Sequence, residues 1–506
     1  MSSAVQTPKK AVIVGAGPVG CLTALALSKR GWSVELYEGR PDIRLPSSKA
    51  AMGQRSINLA MSHRGIAALE SVEPAAAQRF LRDAIPMRGR MIHNLSGDLD
   101  SQPYDRDGQS INSIDRAILN EGLLDEISTS RNIHVFFDQK VIAADFDKKT
   151  LTVRDSSSNA DFSVNFDLCV GADGSFSVVR RQMMRVVRMN YQQEYIRDEY
   201  VELKMPAGRG SNDEPTFLLD PNHLHIWPRH SFMLIALPNK DKTFTCTLFA
   251  PTAELDLLSS ADSILSWFKL YFPDAVRAIG EKALVEQFTR NPRSPLICTK
   301  ANPYHYKDRA IVLGDAAHSM VPFYGQGLNA GLEDVRILST LLDEEGVSSV
   351  PSISDLQNGD DRRLANALKR YTDGRHEDLI AISDLAMGNY VEMRYSVTLL
   401  SYLFRKTVDN LLYTLTSPQM VSLASLIPIL STRPYPPCQP KGWLPLYTMV
   451  TFRPDISYAT VKKKAACQSA IITGLGWIGV AVFGAAGAWL MWSTRKMVLG
   501  IFAQSK

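Results

Sequence analysis

Residues 11–20, AVIVGAGPVG, join an apolar run rich in β-branched residues to three closely spaced glycines. Helix-compatible residues 21–29 follow, so the segment predicts a strand, a glycine turn and a helix. Gly15, Gly17 and Gly20 would let the backbone approach a pyrophosphate, whose charge the helix N-terminus attracts. Pro18 and Val19 would line the turn. The pattern predicts an α/β layer that binds a dinucleotide.

A carboxylate follows where a bound ribose would need one. Glu38 stands eighteen residues beyond Gly20, at the end of an apolar strand predicted over residues 33–37. A carboxylate at this point can accept hydrogen bonds from both hydroxyls of an adenosine ribose. Tyr37, Gly39 and Arg40 would flank the ribose and adenine. The combination favours a dinucleotide site over the alternative of a plain turn.

Composition and charge restrict the class of protein. The chain has 506 residues, of which 45% are hydrophobic and 21% charged, as in ordinary globular proteins. Six Lys or Arg and no acid lie in residues 461–506, and without these six the formal net charge falls from +4 to −2. A mildly acidic body argues against a nucleic-acid partner, because phosphate binding needs a basic face. The six cysteines are widely scattered, so we expect reduced thiols and no metal site.

The C-terminal tail differs from the rest of the chain. Residues 465–494 contain no charge, and residues 470–492 are almost wholly apolar. At about 1.5 Å per residue, this stretch is long enough to cross a hydrocarbon layer of about 30 Å. Trp477, Trp492 and the flanking basic residues resemble interfacial anchors. We predict one transmembrane helix; the alternative is a buried core helix rich in Gly and Ala. The N-terminus has neither a secretory signal nor a transit peptide, so we expect the body to fold in the cytosol.

Two later motifs complete the cofactor pattern. Residues 167–174, DLCVGADG, end an apolar strand in Asp-Gly, and residues 310–331 contain GDAAH followed by PFYGQGLNAG. In this order and spacing the three motifs resemble the flavin-dependent aromatic hydroxylase family, whose cofactor is FAD. The resemblance implies that Asp315 meets the ribityl hydroxyls. It also implies that a helix N-terminus at Leu328 and Asn329 faces the flavin pyrimidine, where negative charge develops on reduction.

The resemblance also assigns residues that the motifs alone do not. Arg116 would reach the FAD phosphates or, alternatively, be a solvated helix residue. Val141 would pack on the adenine side or belong to the ordinary core. No acid or base is assigned, and His318 is expected to fix a loop. The remaining implied positions are Asp173 in the cofactor site, Ala60 beside the isoalloxazine, and Pro322 and Phe323 as the pocket wall.

The expected fold class is α/β, with a Rossmann-like FAD-binding domain similar to that of p-hydroxybenzoate hydroxylase. An inserted β-sheet substrate domain, a C-terminal helical region and the transmembrane helix complete it. Residues 218–238 and 244–250 alternate like strands, and residues 362–385 and 387–414 have helix-compatible patterns. The predicted FAD-binding parts are 1–80, 105–185 and 296–345; the substrate-sheet parts are 81–104 and 186–295; the helical region is 346–464; the tail anchor is 465–494.

Four further segments indicate the substrate. Residues 86–93 (PMRGRMIH), 102–104 (QPY), 387–394 (MGNYVEMR) and 445–452 (PLYTMVTF) resemble the kynurenine 3-monooxygenase family, fungal members in particular. The resemblance implies that Arg90, Tyr104 and Tyr447 hold the substrate carboxylate, with Asn389 nearby. An Arg fork pairs with a carboxylate in a fixed plane, and phenols complete its hydrogen bonds. Alternatively, Arg90 forms a surface pair and Tyr447 belongs to the core.

The activity implied by this resemblance is hydroxylation of L-kynurenine to 3-hydroxy-L-kynurenine, in tryptophan degradation toward NAD biosynthesis. NADPH would bind transiently and reduce FAD, and O2 would then form a flavin hydroperoxide that hydroxylates the ring. The resemblance also implies the mitochondrial outer membrane, with the catalytic body facing the cytosol. Two alternatives stay open: a membrane-attached flavin oxidoreductase acting on a lipid, and an inert FAD-binding scaffold. Arg90 with two tyrosines favours a charged substrate over a lipid. The sequence predicts no oligomeric state.

Overall fold

The structure is a computed structural model that describes residues 7–52, 58–352, 359–416 and 442–474. The strands are β1 (Lys10–Val14), β2 (Ser33–Tyr37), β3 (Asn58–Met61), β4 (Ile85–Met87), β5 (Gly89–His93), β6 (Leu99–Pro103), β7 (Ile111–Asp115), β8 (Ile133–Phe136), β9 (Gln139–Asp145), β10 (Thr150–Asp155), β11 (Asp161–Asn165), β12 (Leu168–Gly171), β13 (Asn190–Met205), β14 (Gly208–Arg209), β15 (Pro215–Thr216), β16 (His223–Arg229), β17 (Phe232–Pro238), β18 (Phe244–Pro251), β19 (Ser294–Asn302), β20 (His305–Tyr306) and β21 (Ala310–Val312).

The helices, in the same residues, are α1 (Pro18–Lys29), α2 (Pro46–Met52), α3 (His63–Val72), α4 (Pro74–Asp83), α5 (Arg116–Thr129), α6 (Val178–Met183), α7 (Thr252–Asp256), α8 (Ala261–Tyr271), α9 (Pro273–Ile279), α10 (Glu281–Arg290), α11 (Asp315–His318), α12 (Gly327–Glu344), α13 (Arg362–Arg394), α14 (Leu400–Thr416) and α15 (Leu446–Phe452). Short 3-10 helices cover Pro322–Tyr324 and Ser396–Thr398, and residues 458–474 are also helical.

The predicted dinucleotide-binding layer is confirmed as a six-stranded sheet. Its order is β20-β21-β12-β1-β2-β8, and every neighbouring pair is parallel except β20 with β21. The central strand β1 is almost wholly buried, as expected for a parallel strand with helices on both faces. The apolar runs that end in the three cofactor motifs form the adjacent strands β1, β12 and β21. The motifs therefore meet at one edge of this sheet.

The inserted domain is a seven-stranded sheet with the order β19-β13-β18-β17-β16-β5-β6. Residues 218–238, which alternate in polarity, form two strands, β16 and β17, joined by a turn in which His230 has a φ of 63°. Strand β5 pairs in parallel with β16 and antiparallel with β6. One face of this sheet lies toward the flavin-binding layer, and helices α8, α9 and α10 cover the hydrophobic cluster on the other face.

The helical region differs from the sequence expectation at one boundary. The predicted break between residues 385 and 387 is wrong, because α13 continues through Gly388 to Arg394. A glycine inside a helix costs only about 1 kcal/mol. Burial of Ala386, Asn389, Tyr390 and Met393 on one face of α13 offsets that cost. The helix ends at Tyr395 instead, and α14 follows.

The predicted tail anchor, 465–494, lies largely beyond residue 474 and so outside the described residues. Among the residues that the structure describes, no helix has the length and apolar content to cross a membrane. Residues 53–57 and 353–358 likewise lie outside them.

Candidate functional site

In the glycine turn, two of the three glycines lie so close to neighbouring backbone that a side chain would not fit, and the third faces open space. A Cβ on Gly20 would lie 1.9 Å from the Gly15 carbonyl oxygen, and a Cβ on Gly15 would lie 2.5 Å from that of Ala172. Gly15 also has a φ of 100°, which side chains disfavour. At Gly17, by contrast, a Cβ would meet nothing within 4 Å. The turn therefore requires Gly15 and Gly20 for its own packing, and Gly17 leaves open space above the N-terminus of α1.

Glu38 lies beside this turn, as predicted. Its carboxylate accepts hydrogen bonds from the backbone amides of Ala16 and Arg40, both at 3.0 Å. The Arg40 guanidinium pairs with it at 2.9 Å, although the Arg40 side chain is 69% exposed. Burial raises the pKa of Glu38, but these hydrogen bonds outweigh burial and hold the pKa below its ordinary value. Glu38 therefore stays ionised and can accept ribose hydroxyls.

Two aspartates from the later motifs have acceptor capacity that the protein leaves unused. Asp315 begins α11 and lines the cavity, and no group among the described residues donates a hydrogen bond to its carboxylate. Asp173 uses Oδ2 to accept the amide of Val178 at 2.6 Å, whereas its buried Oδ1 has no partner. Burial raises the pKa of Asp173 above its ordinary value. Hydroxyl groups of a ribityl chain and ribose are suitable donors for these oxygens, so the residues present fit FAD.

Asn329 holds together the loop expected beside the isoalloxazine. Its side chain accepts the Ser62 amide at 2.8 Å and donates to the carbonyls of Ala60 and Gly325 at 2.8 and 2.6 Å. Because this side chain is fully engaged, Asn329 can contact a flavin only through its backbone at the N-terminus of α12. A Cβ on Gly65 would lie 2.4 Å from the Asn329 side-chain oxygen, which explains the glycine there.

A cavity of about 580 Å³ joins the cofactor motifs to the predicted substrate residues. Much of its wall is apolar, which excludes water from bound reactants. Six of the predicted site residues that line it come from the cofactor motifs, three come from the substrate segments, and Ala60 and Arg116 come from the chain between residues 20 and 167. The predicted residues that line it are Gly17, Val19, Ala60, Arg90, Arg116, Asp315, Pro322, Phe323, Leu328, Asn389 and Tyr447.

Nine predicted cofactor positions do not line this cavity: Gly15, Gly20, Tyr37, Glu38, Gly39, Arg40, Val141, Asp173 and Asn329. The Tyr37 ring stacks on Phe136 at 4.9 Å, and its hydroxyl donates to Glu35. Val141 is buried in the hydrophobic core and lies on β9, the second strand after α5. Both residues pack beneath the Glu38 segment, since the Gln139 amide donates to the Glu38 carbonyl at 2.9 Å. Their cofactor roles stay predictions.

At the other end of the cavity, Arg90 faces two partners on α13. Its Nη1 pairs with Glu392 at 2.7 Å, and its Nη2 donates to the Asn389 side-chain oxygen at 3.2 Å. Arg90 is buried, and its Nε has no hydrogen-bond partner in the part of the chain that the structure describes. Burial disfavours the cation, but the Glu392 carboxylate outweighs that effect and places the pKa of Arg90 above its ordinary value. A surface ion pair, the alternative for Arg90, is excluded.

Two phenols complete this end of the cavity. The rings of Tyr104 and Tyr447 stack with centroids 4.6 Å apart, and the Arg90 guanidinium lies 5.1 Å from the Tyr447 ring. The Tyr104 hydroxyl is buried and, among the described residues, has no hydrogen-bond partner. Burial raises the pKa of Tyr447 to about 12, so its phenol remains a donor at neutral pH. Unpaired buried donors cost about 1–3 kcal/mol each, and a bound carboxylate would satisfy them.

Four residues of this site were not assigned roles from the sequence. Glu392 is the ion-pair partner of Arg90, and the Tyr402 hydroxyl donates to it at 3.0 Å. Lys406 lies one turn after Tyr402 on α14, and Tyr324 stacks on Tyr447 at 5.7 Å. Only Glu392 left a signal in the sequence, because it follows Asn389 by three residues and thus shares its helix face.

A buried ionic network connects the cofactor motifs to the segment that carries Tyr447. Arg64 pairs with Glu333 at 3.0 Å and donates to the carbonyls of Met449, Val450 and Ile456. Arg375 bridges Glu333 and Asp334, each at 2.9 Å. These charged side chains are at most 2% exposed.

His318 belongs to the same network. Its Nε2 contacts Asp334 at 2.5 Å, and Asp334 also accepts the amide of Gly314 at 3.0 Å. The expectation that His318 fixes a loop agrees with these contacts, which tie the GDAAH turn to α12.

Comparison with known proteins agrees with this geometry. Residues 9–346 match the family described as FAD binding domain. The kynurenine 3-monooxygenase of Cryptococcus neoformans var. neoformans serotype D (strain B-3501A) is 44% identical, over 96% of this chain and 98% of its own. Those of Yarrowia lipolytica and Candida albicans are 43% and 44% identical, each over 97% of this chain and 99% of theirs.

Solved structures share the fold at lower identity. The tetrameric form of 2-methyl-3-hydroxypyridine-5-carboxylic acid oxygenase is 20% identical with a TM-score of 0.58, over 78% of this chain and 95% of its own. Pseudomonas aeruginosa PqsL in complex with 2-aminobenzoylacetate is 17% identical with a TM-score of 0.59, over 76% and 97%. With its three cofactor motifs around one cavity and its full-length relatives, this chain belongs to the kynurenine 3-monooxygenase family of FAD-dependent aromatic monooxygenases.

Proposed function

We propose that this protein hydroxylates L-kynurenine to 3-hydroxy-L-kynurenine, consuming NADPH, a proton and O2 and releasing NADP⁺ and water. The observation that carries the proposal is the cavity that joins the glycine turn and Asp315 at one end to Arg90 and Tyr447 at the other, with Tyr104 stacked on Tyr447. Bound FAD supplies electron transfer from the nicotinamide and the activation of oxygen. The protein supplies binding, orientation and exclusion of water.

The substrate end fits an α-amino acid attached to an aromatic ketone. Arg90 offers a guanidinium for the carboxylate, and the Tyr104 phenol is a further donor that has no partner among the described residues. Glu392, which carries negative charge 2.7 Å from Arg90, can accept from an α-ammonium group. The apolar wall near Phe323 and Met393 would enclose the aniline ring. The substrate end of the cavity can therefore accommodate both the charged amino-acid group and the flat aromatic ring.

We assign no side chain among the described residues as an acid or base at the ring. An amino group on the substrate ring already activates the carbon ortho to it, so orientation is the main requirement. Asn389 contributes to orientation by joining two walls: its Nδ2 donates to the Phe323 carbonyl at 2.7 Å, while its oxygen accepts from Arg90. Phe323 in turn stacks on Tyr390 at 3.9 Å, which fixes the pocket wall.

The experiment that tests this activity is NADPH consumption by the purified protein with and without L-kynurenine, with the product identified. We expect kynurenine to accelerate NADPH oxidation and 3-hydroxykynurenine to form in proportion to it. A lipid-acting oxidoreductase would show no acceleration by kynurenine. An inert scaffold would carry stoichiometric FAD but would not oxidise NADPH with any aromatic substrate.

We further propose that residues 465–494 anchor the protein in the mitochondrial outer membrane, with the catalytic body facing the cytosol. The support is the uncharged sequence of this segment and the basic residues on both sides of it. Removing residues 465–506 should release the protein from mitochondrial membranes. A carbonate wash should leave the full-length protein membrane-bound. A full-length chain that is freely soluble without detergent contradicts the anchor.

A further inference from the structure

Helix α14 carries its large apolar side chains on the outside of the protein. Leu400 is 83% exposed, Phe404 70%, Leu411 56% and Leu415 70%, and no residue of the helix is buried. With 3.6 residues per turn, these four positions fall within an arc of about 60°. They form one continuous stripe along the helix, which we call the outer stripe.

The opposite face of α14 is polar and faces the protein. Tyr402 donates to Glu392 at 3.0 Å and Tyr413 to Asp107 at 2.7 Å. Asp409 accepts from the Trp443 indole at 2.9 Å. A surface helix of a soluble protein has the reverse arrangement, with its apolar stripe toward the core. The outer stripe therefore faces an environment other than water.

The neighbour of α14 indicates which environment that is. Arg405 donates to Ser469 at 3.3 Å, which places α14 beside the helix formed by residues 458–474. Ile471 on that helix is itself 47% exposed. From residue 465 to residue 494 the sequence has no charge, so the apolar tail begins next to the outer stripe.

The charges around the stripe agree with a lipid surface. Arg405 lies at the flank of the stripe, and Lys462, Lys463 and Lys464 precede the uncharged tail. Basic side chains beside an apolar helix face are typical of helices that lie in the interface of a bilayer. If the stripe bound a second copy of the chain or another protein, an uncharged apolar segment beside it would not be needed. The position of that segment therefore favours lipid.

We infer that the outer stripe of α14 lies in the surface layer of the same bilayer that receives the C-terminal tail. This inference rests on the tail anchor of the proposed function. It gives α14 two contacts: lipid on its outer face, and Glu392, the partner of Arg90, on its inner face. The bilayer then holds one wall of the substrate site in place.

The test places a fluorescent label at single positions of the full-length protein, reconstituted with FAD into vesicles of phosphatidylcholine and phosphatidylserine. The background carries Cys467→Ser and Cys438→Ser, because Cys467 is exposed, whereas Cys21, Cys169, Cys246 and Cys298 are buried. Labels are attached at Phe404→Cys and Leu411→Cys. The matched control is Leu257→Cys, an apolar residue that is 70% exposed on the substrate domain.

We expect lipid-borne quenchers to quench the labels at 404 and 411 at least about threefold more than the label at 257, and iodide in water to show the opposite order. Equal quenching of all three labels by iodide overturns the inference. So does shielding of 404 and 411 from both quenchers, which would mean that another segment or a second copy covers the stripe. Failure of the protein to float with the vesicles overturns the tail anchor and this inference together. FAD content is measured for every variant to show that it is folded.

Discussion

Arg90 on β5 and Glu392 on α13 form a 2.7 Å ion pair at the substrate end of the cavity. Arg90 is the fixed partner, with 6% of its side chain exposed, whereas Glu392 is 31% exposed. A substrate carboxylate that binds Arg90 must therefore share the guanidinium with Glu392 or displace it.

We predict that Glu392→Gln strengthens the binding of 3-(2-aminobenzoyl)propionate, which has the kynurenine carboxylate but no α-amino group. Removal of the competing negative charge should lower its Kd by about 3- to 10-fold. Titration of flavin fluorescence measures this. The control is Glu377→Gln, which alters a surface pair with Lys463 and should change nothing. Unchanged or weaker binding to the Glu392 variant would contradict the competition.

Two glycine substitutions distinguish a variant that cannot bind FAD from a variant whose glycine turn is destabilised. Gly17→Val should give a folded protein without FAD, because its side chain enters the open space above α1. Gly20→Ala should instead destabilise the protein, because the new Cβ would lie 1.9 Å from a backbone oxygen. Flavin absorbance and circular dichroism distinguish the two results. Normal FAD content in Gly17→Val would remove the cofactor assignment.

The ionic network around Arg64 should be needed for stability. Arg64→Met leaves Glu333 buried with fewer partners, and breaking one side of a buried pair costs about 3–5 kcal/mol. The control Arg154→Met alters a surface pair with Asp161 and should change the free energy of unfolding little. Urea unfolding of the holoenzyme measures both. Because Arg64 also holds the carbonyls of Met449 and Val450, we expect the Arg64 variant to raise KM for kynurenine. Equal stability of the two variants contradicts a structural role for the network.

Lys406 gives the substrate site a dependence on pH. Burial, with the charge of Arg90 as the second cause, lowers the pKa of Lys406 to about 8. Below that pH the ammonium adds positive charge that favours an anionic substrate, and above it the charge is lost. Carboxylate affinity should therefore fall as the pH rises through about 8. The propionate analogue avoids titration of an α-amino group. Lys406→Met should flatten the profile; an unchanged profile in this variant excludes Lys406 as its source.

The sequence could predict those parts of the fold that depend on local backbone chemistry. The glycine turn, β2 and the position of Glu38 follow from short-range sterics and hydrophobic patterning, and the structure confirms them. The continuity of α13 through Gly388 depends on tertiary packing, which local propensity does not report.

The long-range side-chain partners in the site could not be predicted from the sequence, for the same reason. Asn329 was predicted near the cofactor, but its side-chain bonds to Ser62 and Ala60 join segments about 270 residues apart. Glu392 was visible only as a carboxylate near Asn389 on a helix face, and nothing local pairs it with Arg90, 302 residues away.

The most direct test of whether Arg90 binds the substrate carboxylate is the kynurenine saturation curve of Arg90→Ala. It is measured together with FAD occupancy and Tm. Loss of one partner of a buried charge pair costs about 2–5 kcal/mol, which corresponds to a weakening of about 30-fold to several thousand-fold. Tyr104→Phe keeps the ring and removes one hydroxyl, so it should cost less, about 1–3 kcal/mol. We predict that Arg90→Ala retains FAD and nearly loses kynurenine turnover, with Tyr104→Phe intermediate. Full FAD occupancy with unchanged kynurenine saturation in Arg90→Ala would contradict the role of Arg90 in carboxylate binding, and with it the substrate assigned from that role.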